Sequence, residues 1–343
     1  MYKTFIRPLL FRFNAETAHR FTVGFLKLMG RTCTGRCVLS LIFKRDYPRL
    51  GREVFGIKFP NPVGIAGGLD KDGECYIALS CLGAGFVEIG SLTCAPQVGN
   101  PKPRVFRIVQ DKAIINRMGI NNHGVSNAIR NLTGFPPKVI VAGNIAPRSS
   151  SHGDEVAKDY LEAFTMLYDY VDMFVINISC PNVEGLTGLQ DVSALSDIMD
   201  SLLDMRTGFD KYKPVLLKLS PDLVHAQIDE ILSYAMSSGI DGIVAGNTTR
   251  SRDGLTISEE RVREIGKGGM SGAPLFRRNI EMVRYIHDKT EGRLPIIGVG
   301  GIMSPEDAKA MLDAGASLIE MYSGLIYEGP GLISKTLKYL DRQ

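Results

Sequence analysis

The chain has 343 residues, 44% hydrophobic and 22% charged, with a formal net charge of +3, which is the composition of a globular protein the size of one large α/β barrel or two average domains. So small a charge argues against a nucleic-acid partner; no apolar stretch approaches the ~18 residues of a membrane span, and no apolar run leads to a small-residue cleavage site, so the chain reads as neither membrane-spanning nor exported. Six cysteines, at 33, 37, 75, 81, 94 and 180, form no CxxC pair and have no histidine at zinc spacing, which predicts reduced cytosolic thiols, no disulfide and no metal.

The charge is unevenly spread. Residues 1–49 hold ten Lys and Arg against two acids, Glu16 and Asp46, a balance of +8 that leaves −5 for the remaining 294 residues. In this arm Asn14 is the expected cap of a helix running through AETAHRFTVGFLKLM, with Ala18, Phe21, Phe25 and Leu28 on one stripe. A second stretch, CVLSLIFKR (37–45), is short, apolar and basic at its end. Basic helices with a bulky apolar face suit an anionic membrane surface. Packing of both helices on the rest of the chain is the alternative.

REVFGIKFPNP (52–62) alternates like a short hairpin and is expected to plug the amino-terminal end of a barrel. After it come eight apolar runs, each ending in small or polar residues: VGIAGG (63–68), FVEIGSLT (86–93), VIVAGNI (139–145), MFVINIS (173–179), VLLKLS (215–220), GIVAGNTT (242–249), PIIGVGGI (295–302) and LIEMYSG (318–324). Near-continuous hydrophobicity marks strands buried on both faces, and eight strand–helix alternations are the count of a (β/α)8 TIM barrel. Ser304, Pro305, Glu306 and Asp307 read as the start of the seventh helix. The stretch 94–137 is too long for an ordinary barrel loop and contains NRMGINNHG (116–124), dense in amides, which marks it as functional.

In such a barrel the site lies at the carboxyl ends of the strands. The seventh and eighth runs end GVGG and YSG, consistent with a phosphate cradle and equally with tight turns. GGLDKDG is not GxGxxG, so a mononucleotide fits better than a dinucleotide. Asn116, Asn144, Asn177, Asn182 and Asn247 gather at the predicted mouth with Thr248, Lys71 and Lys218. Amides suit a flat neutral ring bearing carbonyls and N–H groups, although each Asn alone also reads as a turn or capping residue. Cys180, between Ser179 and Pro181, is open to several readings: metal ligand, half a disulfide, nucleophile, proton-transfer group or packing.

The motifs AGGLDKDG, PQVGNPKPRVFR, INRMGINNHG, NISCPNVEGL, GNTT, GGMSGAPL, IIGVGGI and YSGLIYEGP, in this order over the whole chain, resemble those of dihydroorotate dehydrogenases. MYKTFIRPLLFRFNAETAHRFT resembles the helical extension of the membrane-associated, quinone-dependent class 2 enzymes. The resemblance implies bound FMN, oxidation of dihydroorotate to orotate in pyrimidine synthesis, a membrane quinone as acceptor, and a monomer held peripherally on the cytoplasmic face of a bacterial inner membrane through residues 1–49. Residues 50–343 would be the FMN-binding barrel. By motif position it places Ala66, Gly67, Lys71, Ser91, Asn144, Asn177, Lys218, Gly246, Gly272, Gly301, Tyr322 and Ser323 on the flavin. It places Lys71, Asn116, Arg117, Met118, Gly119, Ile120, Asn177, Asn182, Asn247 and Thr248 on the substrate, and His19, Arg107 and Tyr322 on the quinone route. Lys218 would stabilise negative charge on the reduced ring.

The chain departs from the class 2 pattern at several positions. Cys180 stands where class 2 enzymes have serine and the soluble class 1 enzymes have cysteine, and its thiol is expected to take the substrate proton. Gly246 replaces a threonine, Ala146 and Pro147 a Gly-Lys pair, and Ile120 a phenylalanine. Two other readings remain at this point: a class 1-like enzyme passing electrons to fumarate, and a flavin-free phosphate-binding barrel serving as a membrane scaffold.

Overall fold

The computed structural model describes residues 1–134, 139–178 and 192–343. After a short π-helical turn, the arm comprises α1 (Arg7–Phe11), α2 (Ala15–Arg31) and α3 (Cys33–Phe43), followed by the antiparallel hairpin β1 (Arg52–Val54) and β2 (Ile57–Phe59). The body then runs β3 (Val63–Asp70), α4 (Tyr76–Ser80), β4 (Phe86–Leu92), β5 (Val105–Ile108), β6 (Ala113–Asn116), α5 (Val125–Thr133), β7 (Ile140–Ile145), α6 (Asp154–Leu167), β8 (Met173–Asn177), α7 (Val192–Thr207) and β9 (Val215–Leu219). It continues with α8 (His225–Ser238), β10 (Gly242–Ala245), α9 (Glu259–Ile265), β11 (Gly269–Gly272), α10 (Phe276–Thr290), β12 (Ile296–Val299), α11 (Pro305–Asp313), β13 (Leu318–Met321), α12 (Ser323–Glu328) and α13 (Gly331–Leu340).

All eight apolar runs are barrel strands. They pair in parallel in the order β3, β4, β7, β8, β9, β10, β12, β13 and back to β3, with the interstrand helices outside, as sterics require of a parallel sheet. The seventh barrel helix opens as expected: Ser304 Oγ accepts from Asp307 N at 3.1 Å while Asp307 Oδ2 accepts from Met303 N at 2.8 Å. The period of two along each strand decides what points inward. At the amino-terminal end the inward layer is apolar, with Phe86, Ala142, Met173, Val175, Leu216, Val244 and Leu318 in one cluster. The hairpin closes that end, as expected. Its Val54 and Phe59 join the same cluster, and Phe59 meets Phe86 edge to face at 5.4 Å between ring centres. Room for the plug comes from a small residue, since a Cβ on Gly242 would lie 2.4 Å from the Phe55 ring.

The long segment after β4 is not a loop. Its β5 and β6 form an antiparallel sheet completed by β11 from beyond β10, and this sheet stands over the carboxyl-terminal side of the barrel. The arm packs on the body through a few small or polar residues together with Leu26 and Leu39. Asn14 caps α2 by accepting from Glu16 N at 2.9 Å, and Glu16, Ala18, Leu26 and Gly30 are the buried positions of that helix. The expected stripe therefore divides: Ala18 is buried, whereas Phe21, Phe25 and Leu28 are exposed at 61%, 57% and 64%. Ala18 sits one step round the helix from the other three, on the side that touches the barrel. In α3, Leu39 is buried while Val38, Leu41 and Ile42 face outward.

Candidate active site

One step along from the apolar layer, the same strand parity turns polar groups inward: Glu88 on β4, Asn144 on β7, Asn177 on β8, Lys218 on β9 and Glu320 on β13. All are buried. Lys218 Nζ lies 2.6 Å from Glu88 Oε1 and 3.9 Å from Glu320 Oε2, and Asn144 Nδ2 donates to Glu88 Oε1 at 2.7 Å. Burial alone would make Lys218 easier to deprotonate, but the Glu88 and Glu320 charges outweigh it and hold its pKa above the ordinary lysine value.

These groups form the floor of a cavity at the carboxyl ends of the strands. Its walls include Ala66, Gly67, Gly68, Lys71, Ser91, Asn116, Met118, Gly119, Ile120, Gly246, Asn247, Thr248, Ser271, Gly300, Gly301, Tyr322 and Ser323, together with Asn144, Asn177, Lys218 and Glu320. Asn177 Nδ2 donates to Ser91 Oγ at 2.8 Å, Asn247 Nδ2 to Asn177 Oδ1 at 3.3 Å, and Thr248 N to Asn247 Oδ1 at 2.9 Å. An amide chain thus runs along three strand ends. Opposite it, Ser271 and Ser323 share a hydrogen bond of 2.9 Å, joining β11 to the start of α12.

The segment from Asn116 to Ile120 is fixed from behind. Gln97 Nε2 donates to the carbonyls of Gly119 and Ile120, Asn122 Nδ2 to that of Ile120, and Asn100 Nδ2 to that of Arg117. Ile120 is held at φ +51°, a costly conformation for a β-branched residue that these bonds enforce. Asp70 anchors the other rim by accepting from Glu74 N and Cys75 N. Burial raises its pKa to about 6.

Most expected site residues meet here, and the exceptions have clear causes. Gly272 faces β6 rather than the cavity, and a Cβ there would lie 2.2 Å from the Lys112 carbonyl oxygen; its neighbour Ser271 is the one that reaches the wall. The Arg117 side chain turns outward, donating to the carbonyls of Ile265, Lys267 and Pro103 and lying over the Phe106 ring. Gly246 has φ +115° and a Cβ would lie 2.4 Å from Val299 O and 2.5 Å from Asn279 Nδ2, so threonine has no room there. Cys180 and Asn182 lie outside the described residues. Sequence reasoning missed Glu88, Glu320 and Ser271.

His19 and Arg107 lie between the arm and the barrel. His19 Nε2 is 2.8 Å from the Leu69 carbonyl; a carbonyl only accepts, so Nε2 carries the hydrogen. Burial pushes this imidazole below its ordinary pKa, the bond to Leu69 opposing it. Arg107 donates to the carbonyls of Leu10, Phe11 and Phe13 and covers the Phe11 ring at 4.4 Å. Tyr322 links the two regions: it lines the cavity and also packs in a cluster with Ile114, Met303, Tyr327 and the arm's Phe11. Burial raises its phenol to about 12, so it stays neutral.

A sequence profile described as Dihydroorotate dehydrogenase matches residues 49–343. The chain is 44% identical over 333 residues to a dihydroorotate dehydrogenase (quinone) of Christiangramia forsetii, covering 97% of this chain and 96% of the relative. It is 40% identical over 339 residues to the protein of that name in Idiomarina loihiensis, covering 98% and 99%. Among solved structures, the DHODH of Eimeria tenella in complex with ferulenol superposes with a TM-score of 0.86 at 29% identity, over 95% of this chain and 90% of that one. The barrel, its polar floor and these matches over nearly the full length place the chain in the dihydroorotate dehydrogenase family.

Proposed function

We propose that this protein oxidises (S)-dihydroorotate to orotate and passes the electrons to a membrane quinone, with FMN as its flavin. The observation that carries the reading is the cavity itself, where an amide chain, Lys71 and the Lys218 floor converge at the carboxyl end of the barrel. The residues fit an isoalloxazine ring and one phosphate. Asn144 Oδ1 is a buried acceptor with no donor among the described residues, as a ring N–H requires, and Gly300 and Gly301 bring backbone to the wall without side chains. Bound there, FMN supplies the hydride acceptor that no side chain can provide.

The rest of the chemistry belongs to the chain. Lys71 pairs with the substrate carboxylate, while Asn116, Asn177, Asn247 and Thr248 orient the ring carbonyls and N–H groups. Cys180, three residues beyond the end of β8 in sequence, takes the proton; a thiol of pKa ~8.5 is ionised far more readily near neutrality than an alcohol and so is the better base there. His19, Arg107 and Tyr322 line the quinone's approach beneath the arm. The outward Phe21, Phe25, Leu28, Leu41 and Ile42, on a segment with a charge of +8, rest on the anionic face of the membrane.

The test is anaerobic. Dihydroorotate alone should bleach the flavin of the purified protein, a long-tailed quinone should restore the colour, and the released cofactor should have the mass of FMN. Persistent yellow colour with dihydroorotate refutes the activity, and restoration by fumarate but not by quinone refutes the acceptor.

A further inference from the structure

The floor of the cavity holds two carboxyl groups and one ammonium, all removed from water, with Glu88 and Glu320 at 0% and 1% exposure. Among the described residues, no donor reaches either oxygen of Glu320 or Oε2 of Glu88. Yet both carboxyl groups face the same ammonium, Lys218 Nζ lying 2.6 Å from Glu88 Oε1 and 3.9 Å from Glu320 Oε2. Two ionised carboxylates so placed would repel without solvent to screen them, and would leave three acceptor oxygens buried and unpaired. One proton between them removes the first difficulty and reduces the second. It makes a donor of one buried oxygen, and it leaves one carboxylate to balance one ammonium. Such carboxyl pairs hold a single proton because like charges at contact cannot both persist.

We propose that Glu88 and Glu320 share one proton and act as positioning residues that keep Lys218 a singly balanced ammonium in the wall of the flavin cavity. The groups facing the pair are Lys218 from β9 and the Asn144 amide from β7. The backbone of Gly67 on β3 closes the remaining side, where a Cβ would lie 2.1 Å from Glu88 Oε1. β10 and β12 contribute the apolar Val244, Ile297 and Val299. Burial first, and the Glu88 carboxylate second, raise the proton affinity of Glu320 far above that of an ordinary carboxyl group. Glu320, the carboxyl farther from the ammonium, is the one that carries the proton.

This inference rests on FMN binding only for its second readout. The first is infrared difference spectroscopy of the purified protein, comparing wild type with E320Q and E88Q. A neutral carboxylic-acid carbonyl band, shifted in D2O, should be present in wild type near neutral pH and absent from both variants. In each single variant the remaining carboxyl ionises against Lys218. Absence of the band from wild type overturns the proposal whether or not the protein carries flavin.

The second readout is the flavin midpoint potential. With a shared proton, each single substitution leaves the net charge of the floor unchanged, so both potentials should stay near wild type while the E88Q/E320Q double variant rises well beyond the sum. An equal rise at each single substitution means that both carboxylates were ionised, and overturns the proposal. Flavin content and thermal melting identify any variant that has not folded, in which case the wild-type band decides.

Discussion

Replacing Glu16 with Gln should loosen the arm from the barrel without unfolding either. Glu16 Oε1 and Oε2 accept from Arg104 NH2 and Nε at 2.8 and 3.1 Å, and the two side chains are 10% and 6% exposed. Burial would raise the Glu16 pKa, but the Arg104 bonds and charge outweigh it and hold it below the ordinary glutamate range. Breaking a buried pair by neutralising one partner costs about 3–5 kcal/mol. Here Arg104 keeps two carbonyl acceptors, Val98 and Asn100, both at 2.8 Å, so the cost falls at the low end, about 3 kcal/mol, or ~10²-fold in a local opening equilibrium. Hydrogen exchange and limited proteolysis of residues 15–31 read that opening directly. His19 lies one helical turn along the same face, so it should leave Leu69 at the same time, slowing reoxidation by long-tailed quinones while reduction by dihydroorotate continues at its former rate. Arm exchange in Glu16→Gln equal to wild type would show that the pair contributes nothing to docking and refute the reasoning.

Acid should act on the same contact. The folded-state pKa of His19 lies below its unfolded value, so the stability it contributes is present above ~6.5 and lost as pH falls through the lower folded value; arm proteolysis should rise over that range and flatten in His19→Asn. Replacing Lys218 with Met strands two buried carboxyl groups without their cation, and calorimetry should show a loss of about 3–5 kcal/mol together with loss of bound flavin. Cys180→Ala should slow anaerobic flavin reduction ~10²- to 10⁴-fold with orotate affinity nearly intact, and Cys180→Ser should recover part of the rate at higher pH. Changing Phe21 and Phe25 together to Glu should abolish binding to anionic vesicles and leave the melting temperature almost unaltered, because both side chains already face water.

The barrel was legible because strands buried on both faces need continuous apolar runs, a signal no neighbour can obscure. The predicted runs extend past the observed ends, as in GIVAGNTT, where the strand stops at Ala245. There the excess residues Gly246, Asn247 and Thr248 line the cavity. β11 was invisible for the opposite reason: GMSG has no pattern of its own and becomes a strand only by pairing with the apolar β6. Carrying a motif over residue by residue cannot tell a backbone contact from a side-chain one, which is why Arg117 and Gly272 were expected at a cavity that their neighbours line. The two floor glutamates were readable in principle. An acid at the third position of FVEIGSLT or LIEMYSG, two residues from an inward Phe86 or Leu318, must be buried, and a buried acid must find a cation or a proton. That rule leads from Glu88 and Glu320 to Lys218 without a structure.

The arm departs from the usual rule for a surface helix, which turns its bulk inward and its charges out, because Leu26 and Leu39 are buried while Phe21, Phe25, Leu28, Leu41 and Ile42 are exposed. On α2 the inward positions are small or polar apart from Leu26, and Gly30 allows close approach to α4, where a Cβ would lie 3.1 Å from Ala78 N. Its attachment combines the buried Leu26 and Leu39 with directed polar bonds: Glu16 to Arg104, His19 to Leu69 O, Lys27 to Glu74, and elsewhere along the arm Arg7 to Tyr327 O and Lys3 to Glu328. Much of the apolar area is left facing outward. Had Phe21, Phe25 and Leu28 faced the barrel, burial at ~1.5–3 kcal/mol each would have fixed the arm permanently and left nothing to meet a lipid surface. The arrangement also separates the two attachments by their response to salt. Charges facing a membrane across water are screened within a Debye length of ~10 Å at 0.1 M, whereas the desolvated Glu16–Arg104 pair is screened far less. If the proposed surface binding holds, salt that releases the protein from an anionic surface should leave the arm on the barrel, with His19 still on the Leu69 carbonyl.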